Sequence, residues 1–220
     1  DLSRSKLNGA ILRRTDLKDS DLSEADLNIA DLTGANLVGT KLTGANLDRI
    51  KLNQAKLNGA QLSGARMTKA KLAEVDLTHA DLSGANLTGA ELNATLLEGA
   101  DLSRANLTEA ILTDANLKNA FLIGANIQKA DLQGANLEGA DMAGVKLRNA
   151  NLKNANLKQV DLRRADLEHA DFSKANLSSA NFTGAKMSEG LFIGADLTGT
   201  NMDSADITDT QFKGAIGFKA

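Results

Sequence analysis

Every fifth residue of this chain, from Leu2 to Phe212, is apolar, and that spacing excludes most folds before anything else is considered. Of the 43 such positions, 33 are Leu and the rest are Met, Ile or Phe, and the register never slips. A helix advances about 100° per residue, so a five-residue step precesses by about 140° and the leucines would spiral round it without forming a stripe. A flat strand has a period of two and would send successive leucines to opposite faces. A chain that turns a corner every five residues meets the requirement, because each straight side then points one Leu inward. Four such sides close a square coil of twenty residues.

The residues around each apolar centre agree with this. The residue two before the centre is Ala at 32 of 44 positions between Ser5 and Ala220, and most exceptions are Ser, Thr or Val. The residue immediately before the centre is Asp or Asn at 27 of 43 positions. The second residue after it is Gly at 17 positions. In Leu82-Ser83-Gly84-Ala85 that Gly falls at the third turn position, where a type II turn requires positive φ. Where the slot holds Arg, Lys, Glu or Asn, a different turn is expected. Asp and Asn before the centres suit a ledge of short side chains that hydrogen-bond near turns.

The expected architecture is all-β: a quadrilateral parallel β-helix of about eleven coils. It forms a single solenoid domain over 1–215, with 216–220 as a short C-terminal tail able to cap the end. Coils stacked about 4.8 Å apart make a rod roughly 50 Å long. One internal column is Leu from Leu17 to Leu197 without exception; another runs from Leu12 to Leu152 and continues as Phe172, Phe192 and Phe212. Ile216 and Phe218 are expected to break the register at Gly217, with Leu191 and Ile193 beneath that tail. Asp1 is already in register, and an open coil edge carries unpaired backbone groups. Further residues, or another chain, are therefore expected to cover that end, and end-to-end or side association is open to such a rod.

Composition removes several function classes. The chain has no Cys, which rules out disulfides, thiolate metal sites and cysteine nucleophiles. A net charge of −3, from 25 basic and 28 acidic residues, lacks the basic excess of a nucleic-acid binder, so direct nucleic-acid binding is not expected. No apolar run of about 18 residues exists to make a transmembrane helix. The compartment stays open: bacterial cytoplasm, or periplasm or thylakoid lumen if an upstream signal peptide has been removed. His79 and His169 fall in outward turn slots several coils apart, and no catalytic, cofactor-binding or metal-binding residue is singled out. Asn is nearly as common as Asp before the centres, which favours a structural ladder over a calcium site. The pairs Arg13-Arg14 and Arg163-Arg164 lie among acidic residues and read as solvated surface.

The repeats, typified by Ala80-Asp81-Leu82-Ser83-Gly84 and Ala85-Asn86-Leu87-Thr88-Gly89, resemble the pentapeptide repeat family from Asp1 to about Ala215. The resemblance implies a right-handed quadrilateral β-helix and implies little about activity, since many members, especially in cyanobacteria, have no assigned role. One branch protects DNA gyrase and topoisomerase from quinolones by imitating duplex DNA; others are secreted effectors and scaffolds. The gyrase-protecting branch carries Phe at many centres, a strongly acidic surface and a C-terminal helix that builds a dimer. Here Phe centres are confined to the last coils. The side beginning at Asp1 sums to −3, that at Lys6 to 0, that at Ile11 to +1 and that at Asp16 to −2, so no side is an unbroken acidic stripe. The expected function is a non-enzymatic structural or protein-protein interaction module with a protein partner and no small-molecule substrate or cofactor. The alternative is a DNA-mimicking modulator of a type II topoisomerase. The candidate contact surface is Leu96, Phe121 and Ile123, apolar residues in slots that should face water.

Overall fold

The structure, a computed structural model, describes residues 1–218. The residue before each centre pairs in a parallel bridge with the residue twenty positions on, in an unbroken series from Lys6 with Asp26 to Asp196 with Ile216. Four sides result. The first begins at Asp1, the second at Lys6, the third at Ile11 and the fourth at Asp16, and each repeats every twenty residues.

One pentapeptide shows why the repeat has these residues. The Asp81 N–H donates to the Ala60 carbonyl in the coil before, at 2.9 Å, and the Leu82 N–H to the Asp101 carbonyl in the coil after, at 2.7 Å. The Gly84 N–H donates to the Ser103 carbonyl at 2.9 Å, and the Ala85 N–H closes the turn onto the Leu82 carbonyl at 3.0 Å. The Ser83 N–H has no backbone acceptor; it donates to Asp81 Oδ1 at 2.9 Å. All five N–H groups are thereby bonded, as a backbone packed this tightly requires. Asn86 serves the Thr88 N–H in the same way. The Asp and Asn residues are therefore caps that satisfy the donor the coil cannot reach, a sharper role than a polar ledge. They also join coils laterally, as where Asn156 Nδ2 donates to Asn136 Oδ1 and Asn136 Nδ2 to Asn116 Oδ1.

The turns correct one expectation. Every slot two after a centre has positive φ: 63–72° at the 17 glycines, and 53–61° at the 26 other residues, among them Arg4, Glu24, Lys69 and Asn119. No second turn type occurs. Left-handed backbone costs an L-residue about 1–2 kcal/mol, and each corner holds two hydrogen bonds worth about 0.5–1.5 kcal/mol apiece. A different turn would change the direction in which the chain leaves the corner, and the coils above and below would lose register.

Inside, the centres and the small residues are buried in one continuous core from Leu22 to Leu197. Thr40 and Thr95 replace Ala within it, and their hydroxyls donate to the carbonyls of Leu17 and Leu72 in the preceding coil. On the third side the column ends as a ring stack: Phe172 and Phe192 centroids are 4.8 Å apart, and Phe192 and Phe212 5.5 Å apart. Phe182 meets Phe192 edge-on at 6.1 Å. Gly190 sits at a slot that is Ala elsewhere, because a methyl there would come within 3.1 Å of the Phe192 ring and 2.8 Å of the Met187 carbonyl oxygen.

The end of the chain differs from expectation in two details. Ile216 still pairs with Asp196, so the register runs one residue past 215. Phe218 then turns in and stacks on Phe212 at 3.8 Å. Gly217 approaches Thr198 on the fourth side, and among the described residues the third-side Ile193 is left 38% exposed. Lys219 and Ala220, the last residues of the expected tail, lie outside the described residues.

Several capping carboxyls are held below their usual range. Asp31 is lowered to about 2, chiefly by the Thr33 hydroxyl and further by Arg13, whose guanidinium lies 2.7 Å away. Asp21, Asp196 and Asp206 are lowered mainly by the Ser or Thr hydroxyl two residues on.

Three outcomes are expected. Leu97→Asp places an unpaired carboxylate in the dry core and should cost several kcal/mol, whereas Lys118→Ala should stay within about 0.5 kcal/mol; thermal melts compare them. Gly190→Ala should destabilise by about 1–3 kcal/mol through overpacking although Ala is the common residue at this slot, and Phe192→Leu in the same chain should relieve it, as measured by denaturant titration. Because Asp31 binds its proton less readily folded than unfolded, it stabilises the fold above about pH 4 and loses that effect as pH falls toward 2. Melting temperature followed between those pH values should decline less steeply in Asp31→Asn.

Candidate interaction surface

The surface is built by exceptions to the capping rule. Phe121 takes a slot that usually holds Asp or Asn, between Asp101 and Asp141 on the first side. It offers no acceptor to the Ile123 N–H, so the rod gives up a cap for an aromatic ring that is 48% exposed. Ile123, two residues on along the same side, is 44% exposed. Leu96 is 47% exposed in the corresponding slot of the fourth side, between Asp76 and Asn116. The structure thus brings Phe121 and Ile123 together and leaves Leu96 on another surface, the width of a side away. Ile111 and Ile193 are exposed on the third side.

The surroundings of Phe121 were less legible. The corner slots of the first side hold Gly44, Gly64, Gly84, Gly124, Gly144 and Gly184, which leave it low and open, and Arg4, Arg104 and Arg164, which stand above it. A shallow depression beside Ile123 is lined by Ser83, Gly84, Ser103 and Arg104; another, three coils on, by Ala143, Gly144, Arg163, Arg164 and Thr183. Arg163 folds back onto Asp161 at 2.6 Å, while Arg104 and Arg164 form no ion pair among the described residues. Sequence reasoning took the glycines as turn residues alone; reading them down one side at a spacing of twenty would have pointed to these depressions.

The polar groups elsewhere are engaged in the fold. The capping carboxylates accept backbone N–H groups, as Asp101 does from Ser103 and Asp141 from Ala143. His79 lies over Gly99, whose missing side chain leaves room for the ring. His169 Nδ1 lies 3.4 Å from Glu189. Among the described residues there is no group of three or more His, Cys, Asp or Glu able to hold a metal ion, and no helix long and apolar enough to cross a membrane.

Comparison with known proteins fits this geometry. The profile of the family described as Pentapeptide repeats matches in overlapping segments from residue 1 to residue 216. No curated protein sequence matches the chain. Among solved structures, the chain is similar to HetL, a pentapeptide repeat protein involved in heterocyst differentiation regulation from the cyanobacterium Nostoc sp. strain PCC 7120. The two share 30% identity over 94% of this chain and 92% of that one, with a TM-score of 0.55. It is also similar in fold to QnrB1, a plasmid-mediated fluoroquinolone resistance protein. A trypsin-treated variant shares 23% identity over 71% of this chain and 86% of that one, with a TM-score of 0.59. For full-length QnrB1 the identity is 21%, over 78% and 90%, with a TM-score of 0.51. The unbroken twenty-residue bridge series, the inward apolar centres and the matching profile together place this chain in the pentapeptide repeat family, with its right-handed quadrilateral β-helix.

Proposed function

We propose that this chain is a non-enzymatic protein-protein interaction module whose working surface is the outside of the rod. The observation that carries this reading is the exposed Phe121–Ile123 pair, where a capping residue has been exchanged for an aromatic ring that the fold does not use. Burying such a ring against a partner is worth on the order of 1.5–3 kcal/mol, and exposed apolar groups that the fold does not require mark binding surfaces. Support also comes from the capping role of the carboxylates, which are committed to backbone donors instead of to a substrate. Similarity to HetL, which is involved in heterocyst differentiation regulation, fits a non-enzymatic role.

The alternative, a DNA-mimicking modulator of a type II topoisomerase, draws on likeness to QnrB1 in fold. A duplex mimic needs a continuous run of negative charge to occupy a phosphate-binding groove. On the first side of this rod Lys41, Arg104, Arg163 and Arg164 interrupt the aspartates.

Proximity labelling from the natural host should recover a partner that the double variant Phe121→Ser/Ile123→Ser recovers at least several-fold less, with Leu96→Ser as the comparison on the fourth side. Measurable turnover of a substrate by the pure chain would overturn the reading. In a gyrase supercoiling assay, micromolar chain should neither inhibit the enzyme nor relieve quinolone inhibition; protection there would move the assignment to the alternative.

A further inference from the structure

We infer that the edge between the second and third sides, within residues 1–80, is a docking site for an anionic lipid surface. The inference goes beyond the interaction-module reading, because this edge borders the third side, which lies opposite the side that carries Phe121.

Exposed apolar side chains and free cations coincide there. Ile11 is 78% exposed and Ile29 is 50% exposed. Ile29 holds a corner slot of the second side and lies over Gly9, the corner of the coil before, two residues from Ile11. It is the one β-branched residue among the 26 non-glycine corners, with φ at 54°. A β-branched side chain is poorly suited to left-handed backbone, and strain of this kind clusters at functional sites. Five cations adjoin the pair. Lys51 and Lys71 continue the third-side ladder that begins at Ile11 and Asp31, while Arg49 and Lys69 follow Ile29 up the corner. Arg14 and Lys51, with Arg13, rim one shallow depression, and Arg49 and Lys69 rim another. None of these five forms an ion pair among the described residues. The carboxylates close by are engaged. Asp31 is held by Arg13 and Asp48 by Arg66, both at 2.7 Å, and Glu74 accepts from Gln54 Nε2 at 3.5 Å.

Charge along the rod narrows the kind of partner. Residues 41–80 carry seven basic side chains against three acidic ones, and residues 81–140 reverse this with three against eight. The chain as a whole is negative, at −3, so an anionic surface would repel it everywhere except at such a patch. Clustered Lys and Arg are drawn to anionic headgroups, and neighbouring apolar side chains can enter the boundary between headgroups and acyl chains. A nucleic acid would engage the cations through its phosphates and leave both isoleucines in water. The other exposed apolar side chains lack the basic flank: Ile111 lies between Glu91 and Asp131, and Phe121 between Asp101 and Asp141. Glu91 and Glu109, in the coils above the patch, are repelled by the same surface. The rod therefore meets the lipid at a tilt, with residues 1–80 down and the first side turned away, open to a protein partner.

Co-sedimentation of the purified chain with phosphatidylcholine vesicles containing roughly one-third phosphatidylserine tests this. At low ionic strength the chain should pellet with these vesicles and not with pure phosphatidylcholine, and added salt should release it. Lys51→Gln/Lys71→Gln should weaken the partitioning roughly twenty-fold, at about fivefold per cation lost near the surface. Lys158→Gln/Lys174→Gln makes the same change in net charge elsewhere on the rod and should leave binding unaltered. Ile29→Ser should weaken binding several-fold without lowering the melting temperature, because it removes an exposed side chain. A chain that stays in the supernatant at low salt overturns the inference, as does equal weakening by the two lysine pairs. Ile29→Ser without effect, together with equally tight retention of the chain by a DNA duplex, overturns it in favour of a nucleic acid. None of these outcomes touches the interaction-module reading, which stands or falls on the Phe121→Ser/Ile123→Ser variant in proximity labelling.

Discussion

The constraint on which this molecule depends is hydrogen bonding between backbone segments twenty residues apart. Each coil supplies donors to the one before and the one after, so no coil can be longer or shorter than its neighbours. Equal coils need equal sides, and equal sides need the same corner every time. That is why Arg, Glu, Lys and His accept a left-handed backbone at corners where their own preference runs the other way. Local strain of about 1–2 kcal/mol per corner is tolerated because a lapse at one corner would disrupt bonds in two further coils. Each coil contacts only its neighbours, so the cost and the benefit stay local along the rod.

Much of the architecture was legible in the sequence because the core is periodic. A Leu every fifth position and a small residue two before it admit little besides a square coil, and the Phe172, Phe192 and Phe212 column could be read directly. The corners were not legible. Arg14 or Glu74 in a turn slot suggests another turn by local propensity, and only the stacking of coils overrides it. The role of Asp81 was half visible: its polarity and proximity to a turn were evident, its bond to the Ser83 N–H was not. Gly190 looked like an irregular small residue, and its reason, a ring edge, exists only in three dimensions.

The candidate surface divides in the same way. Phe121, Ile123 and Leu96 stood out because outward slots are mostly polar, and the five-residue count already placed Leu96 on the adjoining side. A corner separates Leu96 from the other two. The glycines that make the first side low were hidden by having a sufficient local explanation as turn residues. Where a repeat explains nearly every residue, the informative positions are those that abandon its rule at a cost, and Phe121 does so by leaving the Ile123 N–H without its cap.

The mismatch between the repeat and the coil has an evolutionary consequence. The unit that can be duplicated or lost is five residues, while the coil is twenty. Gain or loss of a single unit would preserve the core, the corners and every backbone bond, yet would rotate all downstream surfaces by a quarter turn. Phe121 would then stand over a different set of aspartates, and Arg164 would leave the line of Arg104. Only insertions and deletions in multiples of four units keep the faces in phase. The backbone of such a protein therefore tolerates length changes that its surface does not, and lineages can explore new faces by slippage without passing through an unfolded intermediate.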